Sequence, residues 1–249
     1  RYPGTCRELT PAQREALLRE GRRPTLRFRV PAGRQVAFED LVRGPQTFAT
    51  DDIGDFIIRR ADGGAAFFFC NALDDALMGV THVLRGEDHL TNTPRQILLL
   101  EAMDLKPPRY GHVSLLVGAD GAPLSKRHGS TSVRELRERG FLPEAIVNHL
   151  FRLGHAPEQD GWLTMEQMPG QFHLERLGKA PARFDEQQLV HWQKEALMHA
   201  DVEELLGWLQ PVLPSGIDAV RLREFVELVR PNLVFPEDTR HWVDVVFGE

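Results

Sequence analysis

Three short apolar runs crowd the middle of this chain. Residues 67–73 (interrupted only by Asn71), 80–84 and 113–117 each read as a strand covered on both faces. Between the last two, Thr93 stands where a helix cap belongs, Pro94 where a helix starts, and residues 96–103 carry helical spacing. Strand, strand, helix, strand is half of a doubly wound α/β sheet, and in such sheets ligands bind beyond the carboxyl ends of the strands. The chain contains no G-x-G-x-x-G and no Walker A pattern, so neither a dinucleotide site nor a P-loop is supported.

The flanks differ in kind. Thr10, Pro11 and Gly21 frame a helix over 11–20, followed by strands at 25–30, 36–42 and 56–60. From Ser132 onward the pattern turns helical. Ser132 with Glu135 makes a capping box, and Gly140 ends that helix. Pro143 opens the next, whose apolar positions Ile146, Val147, Leu150, Phe151 and Leu153 run to Gly154. Further helices are expected around 164–168, 185–198, 201–209 and 218–229. Internal repeats and low-complexity tracts are absent.

A chain of 249 residues, 42% hydrophobic and 27% charged, can bury a substantial core. Two cysteines, Cys6 and Cys70, argue against a disulfide framework and fit a reducing cytosol. No apolar run approaches the roughly 20 residues that span a bilayer, and no apolar signal core opens the chain. The formal charge of -6 is wrong for a chain that is nucleic-acid-binding throughout. Any such surface must be local, and residues 1–30 hold eight arginines against three glutamates. Basic residues are 26 Arg to 4 Lys, which suits bidentate phosphate contacts and equally a GC-rich coding sequence.

Two segments carry the chemistry. The first is Pro123-Leu124-Ser125-Lys126-Arg127-His128-Gly129-Ser130, after an Asp120-Gly121 turn. The second spans residues 74–96 and contains Arg85-Gly86-Glu87-Asp88-His89. With the second segment upstream of the first by about thirty residues, they resemble the second half of the catalytic domain of a bacterial glutamyl-tRNA synthetase, a class I family. The first resembles that family's lysine loop, the second its amino-acid-binding strand and the following helix. Residues 1–7, 41–44, 140–145 and 179–185 match as well, and the resemblance covers most of residues 1–200.

The resemblance implies an α/β fold: the second half of a class I synthetase Rossmann-like nucleotide-binding domain with an α+β insertion, then α-helical stem-contact and anticodon-binding-type domains. Residues 1–66 would close the insertion that grips the tRNA acceptor end, and 67–128 would form the catalytic half with the lysine loop. Residues 129–200 would contact the tRNA stem, and 201–249 would begin the anticodon-binding domain. The implied partners are ATP with Mg2+ as a substrate complex, L-glutamate, and glutamate tRNA, with the glutamine acceptor open as a second tRNA. A monomer in the cytoplasm is expected, with no membrane.

Adenylate formation needs an oriented carboxylate, an in-line phosphate and charge neutralisation at the departing pyrophosphate. Lys126 is the candidate for the last role, with Ser125 and Arg127 supporting the loop or touching phosphates; solvation is the plain alternative for Arg127. Pro123 and Leu124 complete the motif, and Leu115 and Leu116 lie where the family's backbone meets adenine. Arg85, at the carboxyl end of a buried strand, can make paired hydrogen bonds to a carboxylate; its alternative is an ion pair with Glu87 or Asp88. Asn71 must find partners if buried, either the bound glutamate or backbone. Phe67 and Asp88 complete the implied glutamate site. Asp74 and Asp75 are assigned to capping or ion pairing, not to acid–base work. The histidines lack metal-ligand spacing, and Cys6 has no C-x-x-C partner, so neither a catalytic metal nor a structural zinc is expected.

The pattern also breaks. The family's H-x-G-H signature is absent, so the sequence reads as part of a synthetase that should not bind ATP productively as written. Ala65-Ala66-Phe67 stands where relatives carry Pro-Thr-Tyr, and Pro123 where many have lysine. The Trp192-Gln193-Lys194 stretch lacks the usual asparagine. Competing readings are a paralogue glutamylating a modified tRNA base, a non-catalytic tRNA-binding module, and an unrelated adenylyl transferase.

Overall fold

The computed structural model describes residues 2–118, 120–124 and 132–248. They fall into two compact units, Arg1–Ser114 and Leu115–Glu249.

In the first unit, α1 (Pro11–Arg19) is fixed at its start by a reciprocal capping box between Thr10 and Gln13. Strand β1 (Leu26–Phe28) pairs with β4 (Phe56–Arg59), and β2 (Gln35–Asp40) forms an antiparallel hairpin with β3 (Gly44–Ala49). A single helical turn, α2 (Thr50–Ile53), follows the hairpin. Next come α3 (Phe67–Leu77), β5 (His82–Gly86), a 3-10 segment at Glu87–Asn92, α4 (Thr93–Ala102) and β6 (Arg109–Val113). Strands β5 and β6 are parallel, with Arg85 beside His112 in register. Ile97, Leu98 and Leu99 of α4 pack with Val30, Val36, Phe56 and Tyr110 into one apolar core, to which Phe68 and Phe69 add a flank.

The strand expected at 80–84 lies at His82–Gly86 and is not covered on both faces, since none of its residues is buried and Leu84 is exposed. Four further expectations need correction. Residues 67–73 form no strand; they open α3, in which Ala72 alone is fully buried while Phe67 and Leu77 face solvent. A continuous apolar run does not separate strand from buried helix, and the helix continues past the run, through Asp74 and Asp75 to Leu77. Second, Thr93 is not the cap of α4. Asn92 takes that place after the 3-10 turn, and the Thr93 hydroxyl bonds Arg85 instead. Third, residues 113–117 are not one strand, because β6 ends at Val113 and β7 (Leu116–Val117) belongs to the second unit. Fourth, the turn at 165–167 precedes its helix, which occupies Met168–Gln171 and not 164–168.

The second unit is mainly helical. It contains α5 (Val133–Glu138), α6 (Pro143–Arg152), α7 (Met168–Gln171), β8 (Ala182–Arg183), α8 (Glu186–His199), α9 (Val202–Leu209), α10 (Ala219–Val229) and α11 (Thr239–Phe247). The Ser132–Glu135 box caps α5 as its sequence requires. Strand β8 pairs in parallel with β7. Helix α6 lies against α8, with Ala145 packed against Trp192 and Ala196. Leu197, Leu205, Leu209, Phe225, Val226 and Val229 form the larger core. Gly140 ties α5 to α9: its φ of 92° suits glycine alone, and its carbonyl accepts from Trp208 Nε1 at 2.9 Å. No helix among the described residues is long and apolar enough to cross a membrane.

Candidate functional site

Arg85 is the centre of a buried polar cluster in the first unit. It leaves the carboxyl end of β5, where parallel sheets present ligand sites. Its Nε donates to His112 Nε2 at 3.1 Å. Its Nη2 donates to Thr93 Oγ1 and to Gln96 Oε1, both at 2.7 Å. The guanidinium carbon lies 5.2 Å above the Tyr110 ring. Three of its five N–H groups are therefore spent on the framework, and Nη1 makes no hydrogen bond among the described residues. Gln96, fully buried, passes the chain of bonds onward by donating from Nε2 to Asn71 Oδ1 at 2.6 Å. That leaves the Asn71 amide nitrogen as a second donor with no partner among the described residues.

Two donor groups held by a rigid network suit an acceptor-only group such as a carboxylate. Burial pulls the Arg85 pKa below its ordinary value, opposed by Tyr110, Asp75, Asp88 and Asp40; an arginine stays charged regardless. Burial also drives the Tyr110 hydroxyl up to about 12, so it remains neutral.

The ion-pair alternative for Arg85 fails. Glu87 bonds Arg43 Nη2 at 2.7 Å, Asp88 faces His89 at 3.8 Å, and Arg85 forms no salt bridge among the described residues. Asn71 is a helical residue of α3 whose side chain bonds, among the described residues, the Gln96 side chain and no backbone group. Phe67 is half-exposed at the start of α3 and packs against the His89 ring at 5.6 Å. Asp88 is exposed and enters only through its charge. Asp74 and Asp75 neither cap α3 nor form a salt bridge among the described residues. Burial raises the Asp75 pKa against the pull of Arg85.

Of the lysine-loop motif, the structure describes only the entrance. Gly118 donates to the Ala122 carbonyl at 2.9 Å, Asp120 accepts from the Ala122 amide at 3.0 Å, and Gly121 takes a φ of 78°. Pro123 bridges Val117, and Leu124 donates to the Leu116 carbonyl at 2.9 Å. Leu115 accepts from the Ala182 amide at 3.3 Å. Ser125, Lys126 and Arg127 lie outside the described residues. Among the described residues no group of His, Cys, Asp and Glu is placed to hold a metal ion, and Cys6 and Cys70 are free thiols.

Sequence reasoning missed His112 and Asp40. It noted His112 only as a histidine without metal spacing. In the structure Asp40, at the end of β2, reaches His112 Nδ1 at 2.5 Å, and both side chains are completely buried. The two are 72 positions apart, and no local signal joins them.

Residues 1–191 match the family model described as tRNA synthetases class I (E and Q), catalytic domain. The chain belongs to that family. Glutamate–tRNA ligase 2 of Nitrosococcus oceani is 64% identical over 249 residues, which is 100% of this chain and 53% of that protein. Glutamate–tRNA ligase 2 of Alkalilimnicola ehrlichii is 59% identical over 251 residues, covering 100% of this chain and 52% of that protein. A crystal structure of a glutamate tRNA ligase from Elizabethkingia meningosepticum, in complex with its amino acid, superposes with a TM-score of 0.86 at 27% identity. The match covers 96% of this chain and 53% of that one. This synthetase chain thus has the α/β catalytic-domain fold of its class, and spans about half the length of the curated relatives it matches.

Proposed function

We infer that these residues form part of a glutamate–tRNA ligase, which uses ATP to activate L-glutamate as the adenylate and transfers it to the 3′ end of tRNA. The observation that carries this reading is the Arg85 guanidinium, fixed by three hydrogen bonds with its Nη1 left open among the described residues. A rigid cation with a free edge recognises a carboxylate at little ordering cost. Arg85, Asn71, Phe67 and Asp88 bind glutamate, the arginine and the asparagine through their side-chain donors. Lys126 neutralises the departing pyrophosphate, Ser125 and Arg127 assist at the phosphates, and Leu115 and Leu116 present backbone to adenine. ATP enters with its Mg2+ as the substrate complex.

Residues 1–66 then serve the acceptor end of the tRNA, 129–200 its stem, and 201–249 open an anticodon-binding helical domain. The enzyme works as a cytoplasmic monomer on glutamate tRNA, and the glutamine acceptor is the second tRNA to test. ATP–pyrophosphate exchange in the longest natural polypeptide carrying this sequence tests the reading. Exchange that requires both glutamate and tRNA is expected. Its absence, with tRNA binding retained, overturns the enzyme in favour of a binding module.

A further inference from the structure

We propose that His112 and Asp40 are positioning residues for Arg85: Asp40 holds the buried imidazole as its Nδ1–H tautomer, whose Nε2 lone pair fixes the guanidinium with Nη1 open. This inference rests on the glutamate reading above and adds to it the two residues that orient the binding arginine.

The argument is proton counting. Arginine has no acceptor, so at the 3.1 Å contact with Arg85 Nε the His112 Nε2 must accept. The proton of a neutral imidazole then sits on Nδ1, which faces Asp40 Oδ2 at 2.5 Å. The Thr93 hydroxyl, 3.1 Å from the same Nε2, accepts from Arg85 Nη2 and has its own hydrogen free to turn toward His112. The contacts at Nε2 require a neutral ring, and burial acts in the same direction on His112, outweighing the opposite pull of Asp40.

Asp40 is held so that it cannot reverse this arrangement. Its Oδ1 accepts from three backbone amides, Val42 at 3.0 Å, Arg43 at 2.8 Å and His112 at 3.1 Å. Only Oδ2 remains for the imidazole. The β2–β3 turn is itself docked on β6, where Leu41 donates to the Tyr110 carbonyl at 2.8 Å. Gly111 permits the approach, since a Cβ there would meet Leu41 Cβ at 3.2 Å and Leu84 Cδ2 at 2.6 Å. The orientation of Arg85 is thus set from a hairpin far away in sequence.

Asp40→Asn separates positioning from folding. The three amides keep the asparagine oxygen in place, so its NH2 faces Nδ1 and forces the ring proton onto Nε2. That nitrogen then confronts Arg85 Nε–H as donor against donor. The full-length protein is compared with this variant by calorimetric glutamate titration and by 15N NMR of labelled histidine. The expected result is a His112 signal moved from the Nδ1–H to the Nε2–H pattern. Glutamate Kd should rise about tenfold, with ATP and tRNA affinities unchanged.

His112→Gln, whose carbonyl can accept from Arg85, should keep glutamate affinity within about threefold, and His112→Phe should not. Both leave Asp40 and its three amide bonds in place, so they decide the matter if Asp40→Asn does not fold. A flipped tautomer with unchanged glutamate Kd, or a phenylalanine variant equal to the glutamine one, overturns the positioning role alone. Native protein that binds no glutamate overturns the functional reading and this inference with it.

Discussion

Gln96 Nε2 lies 2.6 Å from Asn71 Oδ1, an N–H···O bond that ties α4 to α3. The other end of the same amide accepts from Arg85, so one buried side chain holds both free donors of the candidate site. Gln96→Leu keeps the approximate volume and deletes both bonds. It leaves an Arg85 N–H facing hydrocarbon, at a cost of about 2–3 kcal/mol. A lower urea midpoint and a weakened glutamate KM should appear together; either one alone would show that fold and site are not linked through this amide.

Arg85→Lys tests the geometry against the charge. Lysine keeps the cation but cannot serve His112, Thr93 and Gln96 while offering a further donor. Glutamate KM in pyrophosphate exchange should rise about ten- to a hundredfold with ATP KM nearly constant. An equal rise in both would place Arg85 outside the amino-acid pocket.

Lys126→Ala addresses the chemical step. The variant should slow adenylate formation by about a hundredfold or more and leave tRNA affinity intact. Single-turnover measurement with tRNA present reads this directly, and an unchanged rate removes Lys126 from the mechanism.

Acid should destabilise the protein before its carboxylates titrate. Burial lowers the pKa of His112, His149 and His155 beneath the ordinary 6.5, and two of them have a buried ring nitrogen with no hydrogen-bond partner among the described residues, His149 Nε2 and His155 Nδ1. The unfolded chain then binds more protons than the native one in the window below 6.5, so stability falls as pH falls through it. Above 6.5 the contribution is complete. Melting temperatures from pH 8 down to pH 5 should show this slope, and His149→Gln should flatten part of it.

Gly140→Ala should be among the costliest small substitutions. Its φ is 92°, and an added Cβ would come within 2.7 Å of Pro236 Cδ. A loss of about 2 kcal/mol or more is expected. Thermal unfolding measures it, with Gly207→Ala, which has open space around it, as the control.

What the sequence revealed depended on how local the cause was. Thr10, Ser132 and Pro143 act within one turn, and their helices start where those residues require. The apolar run before Asp74 carries no cap at Ala66 and no periodicity, so helix α3 was not separable from a strand. Strand β3 was hidden by Pro45, a residue that argues against strands but is tolerated in this two-stranded hairpin. At the site, Arg85 and Asn71 were legible as polar residues in apolar surroundings. Their link through Gln96, and the Asp40–His112 contact behind Arg85, join segments brought together only by folding.

The division of the chain at Ser114 also sorts its chromophores. Trp162, Trp192, Trp208 and Trp242 all belong to Leu115–Glu249, while Tyr2 and Tyr110 belong to Arg1–Ser114. Emission excited at the red edge of the absorption band therefore reports the helical unit alone, and tyrosine absorbance reports the unit that holds Arg85. Each half of the molecule thus has its own optical clock, readable in one cuvette without a label.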